Sequence, residues 1–496
     1  MNSDINDIPH KSLICGEYIT SSGSHYCKKY LYQNISLPPL ESPSCSDLEN
    51  NIKHLHDAFK DRTWLDITAK KRVEIILRAA SRLESLACQA AYYDAIESGR
   101  SLNSLIKDSI PKAVETIRWF CSALLCKYNK VYQSPDYTFD YAYTSDLPAG
   151  ICLCILPWND PLVLFAWKVI PALLMGNCVI VKPSEYSSGS ALMFTKILIE
   201  SGVPSNVISV IVGRNEEIFR SLILSPHIPI ISMTGSTKTA LYIQHTSSES
   251  EYLKKLNFEC GGKSAFLITK NNSEISLIKG LKVVAENIYY NQGQICSAPS
   301  LLLCHVDHYK NALNQLKLLL QEYSPSDPLD KSTNIGTMCN ESSVKRIQLF
   351  LQSATEIGGT VYQGALDDPK LINCALPPTL LILKKADYLK YSFLQQELFG
   401  PVLTVIFLET IEDMVAIANS SNYGLASSIW SESIHDVQFS SYHLNAGIVH
   451  VNSYGKDSVG LPFGGILNSG DAKEKCIETF DQFSYKKLVY THLSLS

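Results

Sequence analysis

Residues 150–181 read GICLCILPWNDPLVLFAWKVIPALLMGNCVIV and form the most apolar part of the chain. Asn159, Asp160, Lys168 and Asn177 interrupt this apolar stretch, and so do prolines, which a membrane span of about 18 residues rarely tolerates. The stretch instead predicts a buried strand, a turn, a helix and a second strand.

The same alternation continues on the carboxyl-terminal side of this stretch. Short apolar runs separated by helical patterns are typical of βαβ units with a parallel sheet. The predicted strands are residues 151–155, 178–181, 207–212, 228–233 and 265–268. A second alternating block, residues 271–470, has predicted helices at 277–291 and 309–323 and predicted strands at 300–306 and 402–408. It predicts a second α/β domain.

The amino-terminal part has a different pattern. Apolar residues recur at helical spacing over residues 46–59, 67–86 and 104–128, so the first hundred or so residues are predicted to be mainly helical. Residues 131–144 are rich in tyrosine and alternate, which predicts extended strands and suits an arm. The tail, residues 483–492, is also extended and could pair with that arm across a subunit boundary.

Composition limits the classes of function. The chain has 496 residues, a formal net charge of -5 and 15 cysteines without a dense spacing pattern. Its length gives a prior of about three domains. Such a charge provides no general basic field for nucleic acid or an anionic membrane. The cysteine usage favours a reducing compartment, and no secretory signal is recognised at the start, so we expect a cytoplasmic protein.

Several polar or glycine-containing segments follow predicted strands or helices. The sequence NQGQIC ends at Cys296, and FECGGK begins just before Glu259, so one thiol and one carboxylate stand beside glycine turns. Further segments of this kind are PWND (157–160), KPSE (182–185), TGST (234–237), QELFGP (396–401) and LPFGG (461–465). Strand ends of this kind form ligand sites in open α/β sheets.

In this order the motifs PWN, KPSE, TGST, E-x-GGK, GQ-x-C, E-x-FGP and PFGG closely resemble the aldehyde dehydrogenase superfamily. The resemblance covers residues 147–490 and implies an α/β fold with a Rossmann-type NAD-binding domain, an α/β catalytic domain and a β-strand oligomerisation arm. The domain bounds expected from it are 1–128 with 148–261 for NAD binding, 262–465 for catalysis, and 129–147 with 466–496 for the arm. Homodimers or homotetramers are expected as in the family, and no metal is implied.

The resemblance also implies roles for three catalytic residues. Cys296 would attack the aldehyde as a thiolate and form a thiohemiacetal, whose oxyanion the Asn159 amide would stabilise. After hydride transfer to NAD, water activated by Glu259 would hydrolyse the thioester to the acid. An unperturbed cysteine is only about a tenth ionised near pH 7.5, so Cys296 needs activation.

Cofactor residues are implied in the same way. Lys182 and Glu185 would bind the adenosine ribose, and the Glu185 charge would disfavour a 2′-phosphate, so NAD is expected rather than NADP. Gly235 and Ser236 would lie at the pyrophosphate. The remaining implied cofactor residues are Trp158, Glu397 and Phe399, although either aromatic ring could simply be part of the core.

Three acidic or aromatic positions bear on the substrate. Asp160 stands where the family usually has an apolar residue, and it could either cap the following helix or act as an anion in the aldehyde pocket. Asp457 stands at a second pocket position, and Trp167 is also expected in the pocket. Two acids there would favour an amino-aldehyde. Ala240 and residues 471–476 replace glycines that are usual in the family.

Other functions remain to be weighed against oxidation to the free acid. A CoA-acylating semialdehyde dehydrogenase shares the fold and the cysteine but characteristically lacks the glutamate found here as Glu259. A non-catalytic scaffold of the same fold would be expected to lose Cys296, Glu259 or Asn159, and all three are present. Relatives that are fused to further domains would need a longer chain.

Overall fold

A computed structural model describes residues 5–20, 23–136, 140–456 and 458–492 of the chain. Two seven-stranded sheets and one three-stranded sheet form the main architecture. Helices lie between the strands of both large sheets, so the predicted α/β class is confirmed.

The first sheet is parallel over five of its seven strands. In sheet order its strands are Lys255–Glu259, Ile230–Thr234, Ile151–Leu156, Cys178–Pro183, Ile208–Val210, Leu13–Ile14 and Glu17–Tyr18. The chain proceeds from Ile151–Leu156 in one direction and then returns to fill the other side. This reversal creates a crevice at the carboxyl ends of the strands, where open α/β sheets bind ligands.

The helices of this half bury long apolar faces against the sheet and each other. The Pro161–Leu174 helix is buried at every position, because its side chains are apolar all round apart from Lys168. The main helices are Cys45–Lys60, Ala69–Ser85, Ala87–Ser98, Ile110–Cys126, Pro161–Leu174, Gly189–Glu200, Glu216–Leu224 and Thr237–Ser247.

Two predictions for the amino-terminal part were wrong in detail. The expected helix over 104–128 is divided, with a π-helical turn at Leu105–Ser109 before the Ile110–Cys126 helix. Pro111 has no backbone N–H to donate to the preceding turn, which accounts for the break. Residues 13–41 hold six two-residue strands instead of helix, and strands that short show no periodicity in a sequence.

The second sheet is parallel except for one edge strand, Thr360–Gln363. In sheet order its strands are Thr360–Gln363, Thr379–Leu383, Val402–Leu408, Leu301–His305, Ala265–Ile268, Ala426–Trp430 and Ile448–Val451. Its helices are Glu274–Tyr289, Tyr309–Leu319, Glu341–Glu356, Lys385–Lys390, Ile411–Ala418 and Ile434–His443. The predicted strands at 265–268 and 402–408 are found with those same bounds.

The three-stranded sheet joins the arm to the tail of the same chain. Its strands are Val131–Gln133, Tyr141–Pro148 and Ser484–Thr491, and the last two pair antiparallel along their full length. The prediction that the tail pairs across a subunit boundary was therefore wrong. The short Thr479–Gln482 helix packs on the Pro161–Leu174 helix and returns the tail to its own arm.

In the described ranges, no helix has both the length and the apolar character needed to cross a membrane. The apolar Pro161–Leu174 helix is only 14 residues long, and its Lys168 is ion-paired with Glu474 inside the protein. Its hydrophobicity therefore serves the core between sheet and helices, as the sequence predicted.

Candidate active site

Four predicted segments lie at one edge of the first sheet, because each follows or ends a parallel strand. PWND (157–160) follows Ile151–Leu156, KPSE (182–185) ends Cys178–Pro183, and TGST (234–237) ends Ile230–Thr234. Glu259 is the last residue of the neighbouring strand, Lys255–Glu259. The carboxyl ends of the parallel strands thus bring all four together.

A cavity of about 580 Å³ opens at this edge. Five of the predicted cofactor residues line it, namely Trp158, Lys182, Glu185, Gly235 and Ser236. The further lining residues that the sequence did not predict include Tyr186, Arg214, Lys238 and Tyr242. Arg214 could have been found, because it follows the Ile208–Val210 strand and strand ends meet at this edge.

Lys182 is anchored by backbone oxygens at the floor of the cavity. Its ammonium donates hydrogen bonds to the carbonyls of Pro183 at 3.1 Å and Gly213 at 3.0 Å. Burial lowers the pKa of Lys182, and the nearby Glu185 carboxylate opposes that effect. The bond to Gly213 fixes the next turn of the chain, which carries Arg214, against the strand that carries Lys182.

Ser236 begins the helix after the TGST segment. It is the N-cap of Thr237–Ser247, and its hydroxyl accepts a hydrogen bond from the Thr239 N–H at 3.2 Å. Ser236, Lys238 and Thr239 line the cavity, so the positive end of the helix lies beside it, an arrangement that favours an anion. Ala240 is buried in this helix, so the missing glycine is accommodated by regular helical backbone.

Cys296 follows a strained turn at the end of the Glu274–Tyr289 helix. Three consecutive residues are left-handed, with φ of 48° at Asn291, 56° at Gln292 and 67° at Gly293. Side chains of the turn hold it in place: Gln292 accepts from the Leu376 N–H at 3.1 Å, and Gln294 accepts from the Cys339 N–H at 2.9 Å. These buried amide bonds offset the cost of left-handed backbone at non-glycine positions.

The thiol of Cys296 is half-buried. Burial, then the Glu259 and Glu397 carboxylates, raise the pKa of Cys296, so the resting thiol is protonated at neutral pH. Gly262 lies directly against this residue, since a Cβ at Gly262 would stand 2.8 Å from the Cys296 carbonyl oxygen. The glycine of the GGK motif therefore makes room for the cysteine loop.

Asn159 reaches from the first sheet to the cysteine loop. Its side-chain Nδ2 donates to the Gln294 carbonyl at 3.1 Å, two residues before Cys296. Its own carbonyl accepts from the Arg100 guanidinium at 3.2 Å. The predicted pair Asn159 and Cys296 is therefore joined through a short hydrogen-bonded path, with Arg100 behind it.

Arg100 is a site residue that sequence reasoning missed. It is 2 % exposed, forms an ion pair with Asp160 at 3.1 Å and donates a hydrogen bond to the Tyr290 hydroxyl. Burial alone would lower the pKa of Arg100, but the nearby Asp160 and Tyr290 outweigh it and raise that pKa. Sixty positions separate Arg100 from Asp160, and no local pattern marks such a pair.

Asp160 does not cap the helix that follows it. It stands at the N-cap position of Pro161–Leu174, yet its side chain makes no capping hydrogen bond, so that prediction was wrong. Its carboxylate is bound by Arg100 and by the Ser109 hydroxyl. A cation therefore already offsets the charge that was expected to face an aldehyde.

Glu259 is fully buried, and neither of its carboxylate oxygens has a hydrogen-bond partner among the described residues. Burial is the main cause that raises the pKa of Glu259, the nearby Glu474 carboxylate adds to it, and the Lys168 charge opposes it. Lys168 and Glu474 form a buried ion pair of their own. Glu259 is thus a carboxyl group with free hydrogen-bonding capacity in a closed site.

The segment that contains Glu474 lies across the end of the Glu259 strand. The N–H groups of Asp471 and Ala472 donate to the Phe258 carbonyl at 3.1 and 3.0 Å. Gly470 has a φ of +98° and lies so near that an added Cβ would be 2.1 Å from the same carbonyl. Residues 471–476, which depart from the family pattern, therefore form a strap that supports Glu259 and supplies Glu474.

Glu397 and Phe399 approach the site from the second sheet. Glu397 accepts a hydrogen bond from the Gly262 N–H at 3.1 Å, and burial raises its pKa to about 7. Phe399 has a φ of 52°, and its ring meets the Trp158 indole edge to face at 5.5 Å between centroids. Both aromatic residues are only partly buried, and Trp158 lines the cavity.

Trp167 is a buried residue of the Pro161–Leu174 helix. Its indole packs on Phe463 with 5.0 Å between ring centroids, and its Nε1 has no hydrogen-bond partner in the described ranges. Asp457, the other predicted pocket acid, lies outside the described residues. The described residues therefore do not test whether Asp160 and Asp457 lie in one pocket.

Comparison with known proteins gives one consistent family. The sequence profile of the Aldehyde dehydrogenase family matches residues 40–489. Aminoacetaldehyde dehydrogenase of Pseudomonas aeruginosa is 28% identical, over 98% of this chain and 97% of that protein. The NADP/NAD-dependent aldehyde dehydrogenase PuuC of Escherichia coli is 29% identical, over 90% of this chain and 88% of that protein. A solved indole-3-acetaldehyde dehydrogenase in complex with NAD+ is 27% identical and superposes with a TM-score of 0.93, covering 98% of this chain and 97% of that one.

Proposed function

This chain belongs to the aldehyde dehydrogenase family, and we propose that its Cys296, Glu259 and Asn159 oxidise an aldehyde to the carboxylic acid with NAD. The observation that carries the proposal is the buried, unpartnered carboxyl group of Glu259 beside the half-buried Cys296 thiol. A buried carboxyl without partners costs free energy, so its retention indicates chemical use.

The reaction begins with Cys296. Glu259, directly or through a water molecule, takes the thiol proton, and the thiolate sulfur attacks the aldehyde carbon to form a thiohemiacetal. The Asn159 amide and the Cys296 backbone N–H donate hydrogen bonds to the new oxyanion. Asn159 is oriented for this by its bonds with Gln294 and Arg100.

A bound NAD would supply the hydride acceptor at this site, and Cys296 would then hold the oxidised carbon as a thioester. Glu259 passes the proton that it took from the thiol to solvent, and it then removes a proton from a water molecule, whose oxygen attacks the thioester carbon. The carbon–sulfur bond breaks, the acid leaves and the cysteine is restored. The raised pKa makes the Glu259 carboxylate a stronger base than an ordinary glutamate, which suits it for this work.

The cavity at the first sheet fits NAD by its chemistry. Gly235 and Ser236 line it at a helix N-terminus, which suits a pyrophosphate, and Lys182 with Glu185 lines it for ribose hydroxyls. Trp158 also lines it, and the Trp158 ring meets that of Phe399. This set of groups matches a dinucleotide.

For the substrate class we propose a polar aldehyde, with an amino-aldehyde as the first candidate. The relatives that carry this suggestion are named aminoacetaldehyde dehydrogenase and, in mouse, 2-aminomuconic semialdehyde dehydrogenase, the latter 29% identical over 98% of this chain. The charge of Asp160 does not support the choice, because Arg100 offsets it. Asp457 stays an expected pocket residue.

The arm supports a proposed homodimer or homotetramer. Its sheet leaves Val131 74% and Leu488 60% exposed, and Tyr128 next to it is 86% exposed. Apolar side chains concentrated in this way are typical of protein contacts. We also propose the domain division into 1–128 with 148–261, 262–465, and 129–147 with 466–496. We propose a cytoplasmic location as well, which the free state of all 15 cysteines supports.

The decisive test follows NADH formation by absorbance with a panel of apolar, aromatic, acidic and amino aldehydes. We expect Cys296→Ala to lower turnover by at least about 10⁴-fold, because the covalent route is lost. Glu259→Gln should lower steady-state turnover by about 10²- to 10⁴-fold but keep a first-turnover burst of NADH. Cys304→Ala and Glu217→Gln, which change the same residue types away from the site, serve as controls.

Three results would contradict the proposal. Unchanged turnover in Cys296→Ala would remove the covalent mechanism. Strict dependence on added CoA would favour the CoA-acylating alternative, although Glu259 argues against it. Bound NAD with no turnover of any aldehyde, in a protein whose controls are folded, would favour the non-catalytic scaffold.

A further inference from the structure

A second cavity, of about 560 Å³, lies apart from the one on the first sheet. Three segments of the chain line it: residues 103–108, residues 286–290 at the end of the Glu274–Tyr289 helix, and residues 322–335. None of the catalytic or cofactor residues predicted from the sequence is among its lining residues. The proposed reaction with NAD therefore leaves this cavity without a function.

The charged side chains of the cavity are mainly acidic, and we call it the acidic cleft. They are Asp108, Glu286 and Glu322 against Lys107. All four are exposed, and no ion pair joins any of them to a described residue. The excess of carboxylates gives the acidic cleft a negative potential, which attracts a small cation.

One buried hydroxyl of the acidic cleft has no partner. Thr333 lines the cleft and is 4% exposed, and its Oγ1 forms no hydrogen bond with any described residue. Its backbone is held in place, because its N–H donates to the Asp330 carbonyl at 3.1 Å and its carbonyl accepts from the Ser101 hydroxyl. A buried hydroxyl without a partner costs free energy, and its oxygen can accept a hydrogen bond from a ligand.

Two tyrosines complete the lining of the acidic cleft, Tyr290 and Tyr323. Burial, then the Glu286 and Glu322 carboxylates, raises the pKa of Tyr323 to about 12, so both carboxylates act on its hydroxyl. Aromatic rings attract organic cations through the negative charge on their faces. The acidic cleft therefore combines carboxylates, aromatic rings and a free hydroxyl, which together suit an organic ammonium group.

Tyr290 joins the acidic cleft to the aldehyde side of the active site. Its hydroxyl accepts a hydrogen bond from the Arg100 guanidinium, which also donates to the Asn159 carbonyl at 3.2 Å. Tyr290 is also the first residue of the turn that leads to Cys296. An occupant of the acidic cleft thus contacts a residue that is bonded to the catalytic surroundings.

We propose that the acidic cleft binds the ammonium group of a small organic amine, which donates a hydrogen bond to the Thr333 hydroxyl and is attracted by the Glu286 and Glu322 carboxylates. An ammonium has three N–H donors and no acceptor, so hydroxyl and carboxylate oxygens satisfy it. The amine is either the far end of the aldehyde substrate or a separate molecule, and the same groups recognise both. The first of these two sources rests on the proposed function, whereas binding itself does not.

The first test measures binding to the full chain by calorimetry, without aldehyde or NAD. The probe is 1,4-diaminobutane, and 1,4-butanediol is the comparison compound of the same length without charge. We expect the diamine to bind at least about tenfold more tightly than the diol. A rise in NaCl from about 20 to about 200 mM should weaken the diamine, because salt screens the exposed carboxylates.

Charge variants locate the binding. The double variant Glu286→Gln with Glu322→Gln should weaken the diamine by about tenfold, because both carboxylates of the cleft wall lose their charge. The control is Glu251→Gln with Glu356→Gln, which removes two charges from exposed positions outside the cleft and should change the diamine less than about twofold.

Two single variants test the hydroxyl and the sign of the charge. Thr333→Val keeps the volume of the side chain and removes the unpartnered hydroxyl, so it should weaken the diamine by about three- to tenfold without lowering the melting temperature. Lys107→Gln removes the cation of the cleft and should tighten the diamine.

Kinetics with an amino-aldehyde and a neutral aldehyde of the same chain length then identify the source of the amine. If the ammonium belongs to the aldehyde, Glu286→Gln with Glu322→Gln raises KM for the amino-aldehyde alone, and the diamine competes with that aldehyde. If it belongs to a separate molecule, the diamine changes the turnover of both aldehydes without competing.

Equal binding of the diamine and the diol would overturn this inference, and so would equal losses in the two double variants. Because calorimetry needs no turnover, the inference and the proposed function fail separately. An inactive protein that binds the diamine would contradict the proposed function alone. An active protein that does not bind it would contradict this inference alone.

Discussion

The two sides of the active site are built differently. On the cofactor side, Lys182, Gly235 and Ser236 owe their positions to parallel strands that end at one edge. On the aldehyde side, Asp160 lies equally close to a strand end, yet its chemistry is set by Arg100, which is distant in sequence. Backbone topology therefore decides where a residue lies, while partners from elsewhere decide what its charge can do.

The largest effect expected from this difference is at Arg100. Arg100→Met leaves Asp160 without its buried cationic partner and removes one of the two donors to the Asn159 carbonyl, the other being the Asn291 amide. Loss of one member of a buried ion pair lowers the free energy of unfolding by about 3–5 kcal/mol. Urea unfolding measures that loss, and kcat should fall by about tenfold or more while the dissociation constant of NAD stays the same.

A surface arginine provides the matched control for Arg100. Arg82 pairs with Glu200 at 2.7 Å but is half exposed, so Arg82→Met should cost less than about 1 kcal/mol. The double variant Arg100→Met with Asp160→Leu should recover stability without recovering kcat, because the Asn159 contact is still lost. Equal losses of unfolding free energy in Arg100→Met and Arg82→Met would show that the Arg100–Asp160 pair is no more important than a surface ion pair.

A smaller effect is expected from the pH dependence of cofactor binding. Burial raises the pKa of Glu397 to about 7, so its carboxyl is half protonated near neutrality. The ionised form accepts hydrogen bonds from ribose hydroxyls better than the neutral form does. The dissociation constant of NAD should therefore fall as pH rises from 6 to 8, by about three- to tenfold.

Glu397→Gln should remove this pH dependence and weaken binding at pH 8. The free energy of unfolding changes with pH in the opposite sense. Because the folded protein holds the Glu397 proton more tightly than the unfolded chain does, the stability due to this group is present at low pH. It is lost as the pH rises through about 7. A dissociation constant of NAD that does not change with pH in the unmodified protein would contradict the proposed role of Glu397 at the cofactor.

The smallest effect concerns the helix that follows TGST. Ser236→Ala removes an N-cap and should lower the free energy of unfolding by about 1 kcal/mol. Thr410→Ala removes the N-cap of Ile411–Ala418 in the other half and should cost a similar amount. We expect only Ser236→Ala to weaken NAD as well, and isothermal titration of the two variants measures this. Equal weakening would mean that the cap has no local part in binding.

The sequence was sufficient where a property depends on neighbours along the chain. The strands 265–268 and 402–408, and the gathering of PWND, KPSE and TGST at one edge, follow from periodicity and parallel connection. It was insufficient where a property depends on contacts across the fold. The Arg100–Asp160 pair, the Arg214 neighbour of Glu185 and the pairing of Ser484–Thr491 with its own arm are of that kind.

The strap over Glu259 has a consequence for synthesis of the protein. Phe258 obtains its partners from residues 471 and 472, more than two hundred positions later, and Glu474 comes from the same segment. When the strands of both sheets have been synthesised, residues 471–474, which contact the end of the Glu259 strand, have therefore not yet been made. Domains emerge and fold in order from the amino terminus, so the environment of Glu259 is complete only after residues 471–474 have been released.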